Sequence, residues 1–504
     1  MIKLIYRIES DYMSKKRMLI VTSVTLSVVT ISLGIVKLYQ TYALSNYIGT
    51  VTDTGIDVYI NDDSYASIPA NGSSNVYYML TNTNPGTVKY GVAYQTTSGV
   101  TVKVYDTSED PATGTIEEND KKYIKLHLEN KNSTNKTIEL STVLGYENGG
   151  DLVVPSGVTL VTDTYTPPPT AAEYITKLYT TASKTTVTNN SITYNTAPSV
   201  SLMNDRLGGT TTDLDGGNIR YYGASPNNYI YFNCSDYSNQ TSSTCETWRI
   251  IGVFDGKLKL IRGSQIGKYS WDNKNTSTGA EDNYGKNDWT TARLMKLLNP
   301  RDYYKVDSND NNLGQSLYYN SASGKCYSGQ NNATVDCDFT STGIKNDETR
   351  NMIAETTYYL GGWNSYSVYP NEIYEYERGT TVYTGRPPTW PGKIALAYPS
   401  DYGYAADLNQ CKDKTLYDYN NSTCTSNNWM KAIITNNGSN SGWLLTPYCS
   451  TSSNVWYVYP VGNVYFNYTV YSAFGAVPVL SLSSELGIES GGDGSSSNPY
   501  KLSA

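Results

Sequence analysis

The sequence predicts a multidomain chain: one transmembrane helix, then an all-β sandwich, then a larger α+β domain. Three observations predict it. A long uncharged apolar run follows a basic cluster near the N-terminus. Short alternating strand signals fill residues 39–165 without a single cysteine. All seven cysteines fall after residue 230, among mixed strand and helix signals.

Residues 18–36 read MLIVTSVTLSVVTISLGIV and carry no charge. At about 1.5 Å rise per residue this run crosses roughly 30 Å of hydrocarbon. Lys15, Lys16 and Arg17 precede it, with Lys3 and Arg7 further back. Positive flanks stay in the cytoplasm. Residues 1–17 are therefore expected inside, 18–38 in the membrane, and the remainder outside. A cleaved signal peptide is the competing reading, with Thr41 and Ala43 at −3 and −1 of the cleavage site,. The run is longer than a usual signal-peptide core, which favours an uncleaved anchor. Met13 offers a second start ahead of the same run.

Between residues 39 and 165, short alternating runs lie at 56–60, 76–81, 90–96, 100–105, 123–129 and 137–145. Gly, Asn, Asp and Pro clusters separate them. Six or more short antiparallel strands in such a stretch predict an immunoglobulin-like sandwich, suited to a stalk. Residues 166–196 read as a Pro-rich linker and short helix. TPPPT at 166–170 is a stiff, extended boundary. Residues 171–182 follow with Ala172, Ile175, Tyr179 and Ala182 at helical spacing,. Residues 183–200 read as a loop.

Residues 197–504 mix both periods. The run 247–262, TWRIIGVFDGKLKLIR, predicts a hairpin with Asp255-Gly256 in a type I′ turn,. Helices are expected at 288–298, capped by Asn287 or Asp288, and at 346–360 and 428–435. Strands are expected at 393–398, 442–445, 455–459, 464–468 and 476–482. Strict βα alternation is missing, so the class is α+β.

Six cysteines form close pairs in sequence: Cys234 with Cys245, Cys326 with Cys337, and Cys411 with Cys424. Outside the cell such pairs read as local disulfides. Each would close a loop of ~10–15 residues, worth about 2–3 kcal/mol in the chain-entropy account. Fifteen connectivities are possible for six cysteines. Zinc prefers closer C-x₂₋₄-C spacing, which is missing. Cys449 is left as a buried thiol or an intermolecular link.

Composition narrows function. The net charge is −8, without the basic footprint of a nucleic-acid binder,. The chain has 49 Tyr against 5 Phe. Two readings are open: codon choice in an AT-rich genome, and enrichment of a recognition surface, where Tyr gives area at low entropy cost. His127 is the one histidine and sits in an alternating strand, half exposed,. Ser-His-Asp triads, Cys-His pairs and His-based zinc sites are thereby excluded from the C-terminal domain.

Several stretches carry a resemblance: NDRLGG at 204–209, GGNIRYYGASPNNYIYFNC at 216–234, CETWRIIGVFDG at 245–256, KIALAYPSDYGYA at 393–405, WLLTP at 443–447, and the ending GDGSSSNPYKL. Together they resemble an uncharacterised C-terminal module of surface proteins from gut and other low-GC Gram-positive bacteria. Its last third resembles a C-type-lectin-like fold, through Trp443, a hairpin around Gly462, and a closing strand with Gly475, Pro478 and Leu480. That fold is shared by formylglycine-generating enzymes, adhesin tips and retroelement-diversified receptors. A related family carries Arg before the proline; here it is Val477. Formylglycine-type chemistry needs a cysteine pair on copper, and only Cys449 lies nearby. The resemblance therefore implies a binding fold without cofactor or metal.

Residues 307–311, DSNDN, resemble the start of a calcium loop, but Asn312 replaces the glycine and Tyr318 the final glutamate,. Strand alternation would put Glu375 and Glu377 on one face, a loose likeness to a glycosidase pair. The hairpin WYVYPVGNVYFNY at 456–468 is more informative. Alternation places Trp456, Val458, Val464 and Phe466 on a core face. Tyr457, Tyr459, Tyr465 and Asn467 fall on the other, where rings stack on sugars and amides meet hydroxyls. Plain cross-strand pairing of an exposed sheet is the alternative. The loops around Trp363, Tyr366 and Trp390 are the second place to look.

These expectations combine into a membrane-anchored bacterial cell-surface protein, a non-enzymatic adhesin or receptor for a glycan or protein ligand. A structural envelope protein and an extracellular enzyme are the alternatives. Protease added to intact cells with a loosened wall is expected to release an ectodomain fragment; protection of the whole chain would contradict the topology.

Overall fold

The computed structural model describes residues 44–52, 55–59, 65–82, 86–145, 152, 154–206, 216–273, 285–304, 313–329 and 333–503. The expected span at 18–38 and segment 1–17 lie outside the described residues, as does the calcium-loop candidate at 307–311. Among the described residues no helix is long and apolar enough to cross a membrane. The chain divides into two compact units, with the boundary between Pro168 and Pro169. Among the described residues both are built mainly of sheet, and the helices, all in the second unit, are few and short.

The first unit is two sheets around one core. One sheet runs Thr164–Tyr165, Val100–Tyr105, Lys121–Asn130, Gly72–Asn82, Leu44–Thr52, Gly55–Tyr59. The other runs Val158–Leu160, Val88–Gln95, Lys136–Gly145, Tyr65–Ile68, with Thr113–Ile116 beside Val88–Gln95. Alternation does the sorting: Val76, Tyr78 and Leu80 point inward from one strand, and Ile124, Leu126 and Leu128 from its neighbour,. Tyr90, Val92, Ile138 and Leu140 meet them from the second sheet. His127 lies on the outer face, yet it is buried rather than half exposed. The short strand Thr164–Tyr165 lays Tyr165 over the imidazole at 3.6 Å, and Nδ1 lies 2.7 Å from Asn75 Oδ1.

In the second unit, the predicted helix forms as Ala171–Thr181. Thr170, the end of TPPPT, caps it: its hydroxyl accepts from Glu173 N at 3.2 Å, and Glu173 returns the bond to Thr170 N at 2.8 Å,. Buried Ala172, Ile175 and Tyr179 seat it on the core. The expected loop at 183–200 instead contains a hairpin, Thr185–Asn189 with Ile192–Ala197. Asn190 and Ser191 adopt left-handed φ of 45° and 62°, a turn that no Gly announced,. The linker thus ends at Pro168, and residues 169–196 belong to the second unit.

That hairpin opens a nine-stranded sheet whose centre is Glu246–Phe254 with Lys257–Arg262. Asp255 and Gly256 take left-handed φ of 48° and 71°, as the I′ turn requires,. A bulge between Ile250 and Gly252 shifts the register,. Ile250 and Ile251 serve opposite faces, as alternation along a strand gives,. A Cβ on Gly252 would meet Ile219 O at 2.0 Å, which fixes glycine there. One face buries Trp248, Ile250 and Leu260 with Ile175 and Leu297. The other buries Ile251 and Ile261 with Trp429 and Trp456. A five-stranded sheet follows, ordered Gly267–Tyr269, Phe474–Ala476, Gly442–Pro447, Val455–Val458, Val464–Tyr465.

Two helices are shorter than expected, and one forms where strand alternation was expected. Residues 288–298 yield only Arg293–Leu298. Neither Asn287 nor Asp288 caps it, because the helix starts only after Ala292; Asn287 Oδ1 accepts from Arg386 Nε at 3.2 Å, and Asp288 Oδ1 accepts from Thr290 N at 3.1 Å. Residues 346–360 split into Asp347–Met352, capped by Asn346, and strand Thr356–Tyr359. The Thr and Tyr pairs there favour sheet over helix. Glu375 and Glu377 lie on helix Pro370–Arg378, not a strand, with Pro370 at its first turn,. All three neighbour disulfides form, with Cα separations of 3.9, 5.9 and 5.0 Å in chain order, and Cys449 is free.

A buried ion cluster joins these pieces. Arg220 Nε reaches Asp205 Oδ2 at 2.5 Å and Nη1 reaches Asp401 Oδ1 at 3.0 Å. Lys259 Nζ meets Asp401 Oδ2 at 2.5 Å. Burial opposes charge on Asp401, but Lys259 and Arg220 hold its carboxyl below the usual range. Close by, Glu377 is fully buried and accepts from Ser400 N at 3.0 Å and Ser400 Oγ at 2.5 Å. Burial lifts its carboxyl from 4.5 to about 7. The fold therefore favours protonated Glu377; that stability is complete below the unfolded value and is lost as pH climbs through about 7,. Denaturant unfolding is expected to show on the order of 2–3 kcal/mol less stability near pH 8 than near pH 5 from this group. Glu377→Gln is expected to flatten that slope.

Candidate functional site

The predicted recognition hairpin forms between Val455–Val458 and Val464–Tyr465, with Tyr457 opposite Tyr465 and Val458 opposite Val464. Gly462 turns it at φ 109°, a conformation closed to most side chains,. Tyr402 Oη donates to Gly462 O at 2.7 Å and ties the turn down. Trp456, Val458, Val464 and Phe466 are buried, on the core face alternation gave them. Trp456 meets Phe466 edge-on at 4.9 Å, and Tyr448 stacks on Phe466 at 4.1 Å.

The other face divides. Tyr457 is buried, not presented. Tyr468 and Phe474 close over it at 5.4 and 5.2 Å, and its hydroxyl donates to Asn467 Oδ1. Burial pushes its phenol well above the ordinary value. Tyr457 is the floor of the surface, and Asn467, though exposed, spends its carbonyl oxygen on that floor. Tyr459 stays 41% exposed and Tyr468 41%.

Tyr465 is half-buried and belongs to a second group of rings. Tyr366 lies 5.6 Å from it and Tyr417 5.4 Å, while Tyr366 and Tyr417 stand 4.7 Å apart. Tyr366 is 45% exposed and Tyr417 39%. The two groups, Tyr459 with Tyr468 and Tyr366 with Tyr417 and Tyr465, meet where Tyr457 pairs across the strands with Tyr465, and together they make up an aromatic platform,.

Tyr366 was within reach of sequence reasoning; its companions Trp363 and Trp390 were not site residues. Trp363 stacks on Tyr376 at 3.6 Å, and Trp390 is buried beside Tyr358 and Trp289. Tyr417 was missed. It rides on the turn Leu416–Asn420, inside the loop closed by Cys411–Cys424. The cysteine spacing marks a fixed loop there, which was the available signal. Cys449 is partly buried and burial raises its thiol, so it is a poor nucleophile,. No group of three or more His, Cys, Asp or Glu among the described residues is placed to hold a metal.

The two faces of the hairpin differ in what they contribute to stability. Trp456→Ala is expected to open a cavity and lower stability by ~3–5 kcal/mol. Tyr459→Ala is expected to stay within about 0.5 kcal/mol of the parent, as for ordinary surface changes. Melting curves on the two variants check this. No family model matches the chain and no curated protein matches it, so the site rests on its own geometry.

Proposed function

We propose that the chain is a cell-surface recognition protein that binds a glycan on the aromatic platform of its second unit. The observation that carries this is two neighbouring groups of rings, exposed Tyr459 and Tyr468 beside buried Tyr457, and exposed Tyr366 and Tyr417 beside half-buried Tyr465, which meet at the Tyr457–Tyr465 cross-strand pair. Sugar C–H faces pack against phenol rings, and phenol hydroxyls serve sugar hydroxyls as donor or acceptor. A rigid floor matters because ordering side chains on binding lowers affinity. Tyr457, locked to Asn467 and covered by Tyr468 and Phe474, supplies that rigidity.

The remaining parts fit the same reading. The uncharged run at 18–36 with its basic flank would tether the chain, N-terminus inside,. The first unit, with two sheets on one core, would act as an immunoglobulin-like stalk. The second unit would be the C-type-lectin-like head. Rings and hydroxyls recognise; they do not supply a paired acid and base, so the reading is of a binder rather than a catalyst.

A glycan array probed with residues 39–504 is expected to return a glycan ligand. Tyr417→Ala with Tyr459→Ala is then expected to weaken that ligand by on the order of 1–3 kcal/mol, measured by calorimetry. Parent-like affinity in the double variant would remove the platform as the site. An empty array together with a host-protein hit would replace glycan by protein.

A further inference from the structure

A second feature of the same unit stands apart from the platform. Strand Glu246–Phe254 alternates: Trp248 and Ile250 enter one core, while Thr247 and Arg249 face the other side, beside helix Trp429–Ile434,. There a cleft of about 590 Å³ opens between the strand and the helix. That volume falls within the range of small-molecule sites, roughly 300–1,000 Å³.

Arg249 forms the inner wall and is only 6% exposed. Its guanidinium lies 3.7 Å from the centre of the Tyr229 ring and 4.8 Å from that of Trp429. Nε donates to Asn228 Oδ1, and Nη2 donates to Pro226 O at 3.2 Å. The Tyr229 side chain takes a further hydrogen bond; a guanidinium has five N–H donors, so donors remain beyond these three bonds,. No carboxylate among the described residues pairs with it. Burial pulls its pKa down to about 10, which leaves it charged at neutral pH.

The contrast with its neighbour is informative. Arg262 lines the same cleft but is matched by Glu246: Nε to Oε2 and Nη2 to Oε1, both at 3.0 Å. Trp248 Nε1 donates to the same carboxylate at 3.0 Å. One cation is neutralised and the other is held rigid, unneutralised and adjacent to open space. Folding alone gains little from an unmatched buried charge, which is unfavourable unless paired. A ligand carboxylate would supply the missing charge, and arginine's planar fork suits that group. The rim adds the exposed hydroxyls of Thr247 and Ser264 and the exposed amide of Asn437. Those groups match a hydroxyl-bearing ring.

We propose that this cleft binds an acidic sugar, with Arg249 taking the carboxylate and the Thr247, Ser264 and Asn437 rim taking hydroxyls. The site is independent of the platform and does not require the platform's ligand.

The test titrates the full chain with glucuronate, with glucose as the neutral counterpart, and with N-acetylglutamate as a carboxylate without a sugar ring. Calorimetry gives affinity, and Trp429 beside the cleft gives a fluorescence readout. Glucuronate is expected to bind saturably, and glucose roughly tenfold or more weakly, as expected for loss of a charged hydrogen bond. N-acetylglutamate is expected to bind less tightly than glucuronate. Arg249→Gln is expected to weaken glucuronate about tenfold to a hundredfold, with the melting temperature read alongside. Arg249→Lys keeps the charge and the stem but not the fork; it is expected to weaken glucuronate several-fold and carries the test if the Gln variant does not fold. Tyr417→Ala with Tyr459→Ala is expected to leave glucuronate binding unchanged. No saturable glucuronate binding, equal binding of glucose, tighter binding of N-acetylglutamate, or parent-like affinity in the Arg249 variants would overturn the proposal.

Discussion

The second unit depends on one buried carboxylate, Asp401. It lies on helix Pro399–Tyr404 and answers Arg220 and Lys259 at once, while its Oδ2 accepts from Tyr398 N at 3.0 Å. Asp205 balances the second positive charge. Breaking such a buried pair by removing one member is strongly unfavourable, about 3–5 kcal/mol, because a bare charge is left inside. The cluster therefore fixes the helix on the central sheet with little freedom. From that helix two bonds reach the platform. Tyr402 Oη holds the hairpin turn at Gly462 O, and Gly403 O accepts from Tyr419 Oη at 3.3 Å. Tyr419 lies on the same turn as Tyr417. Both arms of the aromatic surface are thus hung from one helix, and that helix from one ion cluster.

Local rules were legible and distant ones were not. Asp255-Gly256 announced its turn, the spacing of Ala172, Ile175 and Tyr179 its helix, and the cysteine spacings their partners, because each signal lies close in sequence to its effect. Asn190-Ser191 made the same type of turn without glycine, so a polar, Thr-rich hairpin looked like loop. Glu375 and Glu377 alternate with tyrosines in a run that reads as strand, yet Pro370 starts a helix and Ser400 takes Glu377 into the interior. Period-two alternation correctly turned Trp456 inward. It could not foresee that Tyr468 and Phe474 would roof Tyr457, nor that Tyr417 and Tyr366 would gather around Tyr465. Those contacts are long-range, and no local pattern encodes them. Arg249 gave no signal either: an arginine in a strand reads as solvated until its rings and missing counterion are seen.

The tyrosine-rich composition has a structural use of its own. Tyr78, Tyr90, Tyr179, Tyr194, Tyr221 and Tyr318 are among the largest fully buried side chains, in positions where phenylalanine commonly serves. A buried phenol usually takes a hydrogen-bond partner, though the Tyr318 hydroxyl has none among the described residues,. Tyr78 finds Thr142 Oγ1 at 2.8 Å and Tyr90 donates to Pro111 O at 2.8 Å. These bonds make the cores directional as well as apolar. The surface rings are the exposed fraction of a residue type that the whole chain uses as scaffold.

The clasp between Cys411 and Cys424 carries a further consequence. It brackets the Leu416–Asn420 turn, so one arm of the aromatic surface sits on a segment closed by an oxidised sulfur bond. In a reducing compartment those thiols stay apart, and the turn loses the closure that limits its conformations. The order of that arm of the surface is then tied to the oxidation state of one sulfur pair, and so to the space in which the chain resides,.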